Sequence, residues 1–204
     1  RPSLSQLSFY GKKYPDIQKP SRAYISTHCE RHGCFRFALA LRNLTRTTDE
    51  VLPEEESAAE ATYLFPDAQW YISETKDETT FAAKAGNNGE PHNHNDVGSF
   101  ELFRRGTVLL HDLGSGEYNK DYFSSKRYEF FCCSSRGHSV PIVNGTYQAE
   151  GTEHAATDVI LREDGMCADI AGAYEEPTLR SLVRDFRFDR TEGSLRLTDT
   201  YRFD

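Results

Sequence analysis

The sequence lacks any apolar run that could cross a bilayer. Its longest runs, such as Val108-Leu109-Leu110, fall far short of the roughly 20 residues that a spanning helix needs. The first residues also lack the basic and then apolar order of a signal peptide. We therefore expect a soluble chain without a membrane partner. The sequence does not decide between a cytoplasmic and a periplasmic or secreted location.

Positive charge is scarce as well. The chain has 24 Lys and Arg against 32 Asp and Glu, for a net charge of -8. Binding nucleic acid irrespective of its sequence needs a basic surface that displaces counterions from phosphates, so this balance argues against a nucleic-acid partner. An anionic substrate stays open, because acidic residues can cluster away from a site.

Cysteines are too few and too awkwardly placed for a disulfide framework. There are five, and Cys132 and Cys133 are adjacent. We expect mostly buried thiols. With 37% hydrophobic and 12% aromatic residues, the 204-residue chain can instead bury an ordinary core.

Short alternating segments separated by turns fill the chain from residue 65 onward. This pattern predicts a mainly β fold, an antiparallel β-sandwich over 65–204, preceded by a linker or partial, mixed N-terminal segment over 1–64. The alternation continues to the last residue, so we expect a chain truncated at both ends. The predicted strands are 68–73, 79–83, 98–103, 107–111, 129–133, 140–143, 158–162, 167–173, 179–188 and 194–202.

The most chemically loaded window is G-N-N-G-E-P-H-N-H-N-D, residues 86–96. If it enters a strand, alternation places His92, His94 and Asp96 on one face. Two further segments offer ligands at strand ends, and His94, Asp112 and His138 together would supply two imidazoles and a carboxylate, a set suited to zinc with an open position. Asp96 competes with Asp112 for the carboxylate role.

These segments resemble the heparinase II/III-like polysaccharide lyases, specifically their C-terminal β-sandwich domain. The resemblance covers about residues 65–151 and rests on F-A-A-K-A-G-N-N-G-E-P-H-N-H-N-D-V-G-S-F, D-L-G-S-G-E-Y, Y-F-S-S-K-R-Y and G-H-S-V-P-I-V-N-G, in that order. It implies an N-terminal α/α-toroid in the same protein, with the active site in the cleft between the two domains.

The resemblance also implies roles for individual residues. His94, Asp112 and His138 fall on the metal-ligand positions, for zinc or another divalent ion, and His92 falls on the histidine near the substrate. Tyr122 is the preferred catalytic tyrosine, with Tyr118 and Tyr128 as alternatives.

The implied reaction is β-elimination from a uronic-acid-containing polysaccharide. It requires removal of the proton at C5 beside a neutralised carboxylate and protonation of the leaving oxygen at C4, work that a tyrosine and a histidine can divide. Arg127, Arg136 and Tyr118 are candidates for holding the anionic sugar. No toroid is recognisable in the first sixty residues, so we expect the chain to be inactive alone, and the polymer stays open.

Two other functions compete. His94, Asp96 and His138 match the H-x-D...H triad of non-haem iron oxygenases, although the arginine expected soon after the last histidine is missing. A cupin would carry a glutamate soon after the H-x-H pair, and the nearest one here, Glu101, comes late. Alternatively, the sandwich is a non-catalytic carbohydrate-binding or structural domain in which a metal only joins strands. Aromatic residues could then stack on sugar rings, namely Trp70, Tyr118, Tyr122 and Tyr147.

Overall fold

The structure is a computed structural model that describes residues 60–204. This part of the chain is built from antiparallel strands and short 3-10 turns. None of its helical segments has the length and apolar character that crossing a membrane would demand. The expectations for residues 1–59 lie outside the described residues.

One sheet has five strands in the order β1-β2-β3-β5-β6. The strands are β1 (Ala61–Phe65), β2 (Trp70–Glu74), β3 (Thr79–Lys84), β5 (Phe100–Arg104) and β6 (Thr107–Leu110). All four pairings are antiparallel. Side chains of β3 alternate between buried and half-buried, so one face of this sheet belongs to the core and the other faces outward.

The second sheet has four strands in the order β11-β10-β9-β8. These are β8 (Thr157–Arg162), β9 (Gly165–Asp169), β10 (Leu179–Asp189) and β11 (Ser194–Phe203). A two-stranded ribbon joins β4 (Asn87–Asn88) to β7 (Gly151–Ala155). The ribbon leads directly into the histidine-rich segment.

The core lies between the two sheets. Phe81 on β3 packs with its ring centroid 5.5 Å from those of both Phe186 and Phe188 on β10. Tyr71 and Phe100 extend the cluster on the five-stranded side. Facing apolar layers from two antiparallel sheets confirm the predicted β-sandwich.

Several predicted strands are confirmed and two are wrong. β10 and β11 match the alternating segments 179–188 and 194–202 closely. Residues 129–133 form turns instead, because amides there bond to carbonyls three residues back, as from Cys133 to Phe130. Residues 140–143 have no strand either, and only Val143 forms a single bridge, to Thr146. β1 and the ribbon strands β4 and β7 escaped prediction. β1 begins at Ala61, and a domain boundary at residue 64 stays a prediction.

Candidate functional site

The histidine-rich segment is a loop. Residues 89–99 contain no strand, which corrects the expectation that His92, His94 and Asp96 share a strand face. His92 and Gly98 take positive φ values of 61° and 83°, so the backbone turns and side chains no longer alternate. His92 is exposed, whereas His94 and Asp96 are half-buried.

Buried amide side chains hold this loop to the sandwich. The side chain of Gln148 accepts a hydrogen bond from the Val97 amide (2.9 Å) and donates one to the Val97 carbonyl (2.8 Å). Asn88 bonds to Gln148 and accepts from the Asp96 amide, while Asn95 donates to the Gln148 carbonyl. All three amide residues are buried. The loop conformation therefore depends on specific polar contacts rather than on a sheet register.

His94, Asp112 and His138 meet at one point. Each offers one ligand atom, and these atoms lie within 4.8 Å of one another. His138 directly follows a 3-10 turn at Ser135–Gly137, and Asp112 lies two residues after the end of β6. The three residues come from separate segments, so the fold itself assembles the predicted set.

The protonation of this cluster suits a metal. Burial opposes ionisation of Asp112, but hydrogen bonds with His138 and from the Gly114 amide outweigh it, so the pKa of Asp112 lies below its ordinary value. Burial, followed by the nearby His138, lowers the pKa of His94. An ionised carboxylate and a neutral imidazole are the forms in which these side chains bind metal.

A further observation supports the fit. The His138 side chain is 0% exposed, and its Nε2 has no hydrogen-bond partner among residues 60–204. A buried imidazole nitrogen is rarely left unsatisfied, and a metal ion would satisfy this histidine. Two imidazoles and one carboxylate are a common zinc donor set with one position open. The residues present therefore fit a divalent metal such as zinc.

Asp96 does not belong to this cluster. Its Oδ1 accepts a hydrogen bond from Lys84 Nζ at 2.8 Å, and Lys84 also lies 3.6 Å from Glu90. The carboxylate that joins the histidines is Asp112. The H-x-D spacing that suggested an iron oxygenase thus does not correspond to a ligand group in the described residues.

A buried arginine lies behind the cluster. Arg184 on β10 is 4% exposed and forms a bidentate pair with Asp199 at 2.9 and 2.8 Å. Its third nitrogen, Nη1, donates to the carbonyls of Gly98 (3.0 Å) and Ser139 (2.6 Å). Arg184 thereby connects the end of the histidine loop to the residue after His138.

Arg127 also holds the histidine loop, through its backbone carbonyls. Its guanidinium donates to the carbonyls of His92, Asn93 and Tyr122 at 2.9 to 3.1 Å. It also lies 4.4 Å from the centre of the Tyr122 ring. These contacts use every nitrogen of the guanidinium, so Arg127 fixes the backbone around His92. A role in substrate binding stays a prediction.

Tyr122 connects this region to the metal cluster. Its hydroxyl lies 3.2 Å from His94 Nε2, and the residue is 1% exposed. Burial and the neighbouring Cys133 thiol raise the pKa of Tyr122 to about 12. Tyr118 is exposed, and the centre of its ring lies 4.9 Å from the centre of the Tyr122 ring. Tyr128 instead donates to Asn93 Oδ1.

Arg136 lies apart from these residues. It donates to Ser134 Oγ and to the Glu129 carbonyl, and its guanidinium is 5.6 Å from the rings of Phe131 and Tyr147. Neither of the two cavities beside the histidine loop has Arg136 in its lining. Its predicted role in sugar binding stays a prediction.

Two cavities flank the histidine loop, and His92 lines both. The larger one, about 660 Å³, also contains Tyr122, Arg127 and Tyr128. The second, about 410 Å³, has Trp70, Lys84, His94, Asp96, Glu101 and Asp112 in its lining. The candidate catalytic histidine therefore borders both cavities, whereas the metal cluster borders only the smaller one, through His94 and Asp112.

Sequence reasoning missed the residues that support the site. Neither Asn88 and Asn95 nor Arg184 was predicted to belong to the site. Arg184 did carry a signal, because it occupies the inward phase of the β10 alternation together with Leu182 and Phe186. A charge in that phase has to be paired inside the protein.

The comparisons with known proteins agree with this architecture. No curated protein matches the sequence significantly. The family described as "Heparinase II/III-like, C-terminal" matches residues 58–202, which comprise almost the whole described part of the chain. This relationship suggests lyase activity in the full-length protein. The chain belongs to the heparinase II/III-like C-terminal family.

Proposed function

We propose that this chain is the β-sandwich domain of a polysaccharide lyase that cleaves a uronic-acid-containing polysaccharide by β-elimination. One observation carries the proposal most directly. In a domain of the heparinase II/III-like family, His94, Asp112 and His138 converge within 4.8 Å, beside cavities that His92 lines. We place an α/α-toroid before the sandwich in the full-length protein.

The proton transfers fall to His92 and Tyr122. His92 is exposed at the border of both cavities and can reach a bound sugar from the loop. Tyr122 lines the larger cavity together with His92. In the elimination, one group removes the proton at C5, the electron pair forms the C4–C5 double bond, and the other group protonates the departing C4 oxygen.

His94, Asp112 and His138 would hold the metal, which we propose to be zinc. When bound by these residues, the ion would supply a fixed positive charge that joins their three segments beside the smaller cavity. Arg127 keeps His92 and Tyr122 in place through its bonds to their carbonyls. Tyr118 and Arg136 remain candidates for sugar contacts at the periphery. The toroid would supply the groups that neutralise the uronate carboxylate.

Metal content tests the first half of this proposal. Elemental mass spectrometry of the chain, purified without chelators, should find close to one zinc per chain, lost in His94→Ala and in His138→Ala. His111→Ala is the matched control, because this exposed histidine neighbours Asp112 yet lies outside the ligand group. Zinc retained in both ligand variants would contradict the assignment, and iron in the wild type would favour the oxygenase.

Product analysis tests the second half in the full-length protein. Incubation with uronate polymers should release unsaturated sugars, seen by their ultraviolet absorbance. His92→Ala should slow release by about 10²–10⁴ while zinc content is unchanged, as expected for loss of a general acid or base. A zinc-loaded protein that binds polymer but yields no unsaturated product would instead support the non-catalytic carbohydrate-binding domain.

A further inference from the structure

The smaller cavity lies on the outward face of the five-stranded sheet. Trp70 and Lys84 are directly paired across β2 and β3, and Ala82 is paired with Glu101 across β3 and β5. Paired residues project from the same face of a sheet, and the alternation of β3 places Lys84 and Ala82 opposite the core residue Phe81. This face meets the histidine loop at the cavity of about 410 Å³.

The chemistry of this cavity is that of a sugar-binding pocket. Trp70 is 43% exposed, so a large flat ring is available beside the small side chain of Ala82. An aromatic face can pack against the apolar C–H face of a pyranose, while carboxylates accept hydrogen bonds from sugar hydroxyls. The volume is within the range of about 300–1,000 Å³ that is typical of small-ligand sites.

Charge limits which sugar can enter. Glu90, Asp96, Glu101 and Asp112 line the cavity, and the only lysine or arginine that residues 60–204 place there is Lys84, which Asp96 and Glu90 already pair. Four carboxylates against one ammonium leave a negative excess that a single divalent cation would not reverse. A sulfate group placed here would meet repulsion and no free cationic donor.

We propose that the Trp70 cavity is a subsite for an uncharged, unsulfated pyranose unit of the uronate-containing polysaccharide, stacked on the Trp70 indole. It shares Glu90, His92 and Asn93 with the lining of the Tyr122 cavity, so a chain crossing His92 would occupy both. The proposal rests on the lyase function and adds substrate class to it. It selects polymers of low sulfate density.

The chain contains a single tryptophan, so tryptophan emission, excited selectively over that of the tyrosines, reports on Trp70. We would titrate the 204-residue chain, with and without added zinc, with two hexasaccharides of equal length, an unsulfated glucuronate-containing one and a fully sulfated heparin one. The expected result is a saturable change of Trp70 emission with the unsulfated probe and none with the sulfated probe at the same concentration.

Variants separate stacking from nonspecific contact. By calorimetry, Trp70→Ala should weaken binding of the unsulfated probe by about tenfold. Tyr201→Ala is the control, since this tyrosine is 65% exposed on the other sheet. Glu90→Gln, which removes one carboxylate from the lining, should reduce discrimination against the sulfated probe.

Three results would overturn the proposal: no emission change with either probe, unchanged affinity in Trp70→Ala, or tighter binding of the sulfated probe. The outcome is independent of catalysis. Saturable binding to Trp70 without unsaturated products from the full-length protein would keep the subsite and reject the lyase function. Unsaturated products without Trp70-dependent binding would keep the lyase function and reject the subsite.

Discussion

The sandwich core and the histidine loop are held together by different forces. Between the sheets, Phe81, Phe186 and Phe188 interlock through non-directional apolar contact. The loop over residues 89–99 is held instead by directional bonds to buried polar groups, chiefly Gln148 and Arg184. Apolar packing tolerates local change as long as volume is kept, whereas a buried polar network loses its geometry when one member is removed.

This difference separates stability from site formation. A core substitution should lower the free energy of unfolding for the whole domain. A substitution in the polar network should have a smaller effect on unfolding and a larger one on the metal cluster, because the network positions His94 and the segment after His138 rather than the sheets. Mutations in each region can test that division.

Phe186→Ala should produce the largest loss of stability. The ring is buried at the centre of the aromatic cluster, and its removal leaves a cavity that the sheets cannot close, so we expect the free energy of unfolding to fall by about 3–5 kcal/mol. Urea denaturation measures it. The exposed Tyr201→Ala should stay within about 0.5 kcal/mol of wild type. An equal loss in both variants would mean that this cluster is not the core.

Gln148→Leu should have a moderate effect on stability and a pronounced one on metal binding. Both backbone groups of Val97 lose their partner, which costs about 1–3 kcal/mol. Because the loop carries His94, zinc affinity should drop about 10- to 100-fold, as for other residues that support metal ligands.

A matched control for Gln148 exists in the five-stranded sheet. Ser73 is buried and bonds to Thr62 and to the Ala61 carbonyl, both of which belong to β1 and not to the loop. Ser73→Ala should reduce stability without changing zinc affinity, measured by competition with a chromogenic chelator. If Gln148→Leu left zinc affinity intact, the loop would have a second means of support and the contrast between the two regions would fail.

The same contrast explains what could be read from the sequence. β10 was predictable because alternation of Leu182, Arg184, Phe186 and Phe188 is a local signal that apolar burial enforces. The ligand set was predictable from residue type and family resemblance, and the structure brings those three side chains together. Their catalytic and binding roles stay predictions.

The path of the histidine loop was not predictable in this way. Its conformation depends on Gln148, which lies 51 residues beyond Val97 in the chain, and no local pattern encodes that contact. Arg127 shows the same limit. Its residue type suggested an anion-binding role, but its nitrogens donate to backbone carbonyls of the loop and of Tyr122, a use that depends on tertiary structure.

The smallest effect is expected at the turn between β2 and β3, which belongs to the sandwich and not to the loop. Asp77 accepts hydrogen bonds from Thr75 and Thr79 and pairs with Arg104, and these contacts lower its pKa from 3.8 to about 2. A carboxyl with a lowered folded-state pKa stabilises the fold above its unfolded pKa. That contribution disappears as the pH falls from about 4 to about 2.

Asp77→Asn should therefore remove part of the acid sensitivity of unfolding in this range without affecting zinc affinity at neutral pH. Urea midpoints measured between pH 5 and pH 2, about the range set by the two pKa values, provide the comparison with wild type. The Asn variant should have a lower midpoint at the upper end and a shallower decline toward acid. An unchanged slope would assign the acid sensitivity to other carboxylates. A change in zinc affinity would show that the turn and the loop are coupled, contrary to the division between sandwich and site.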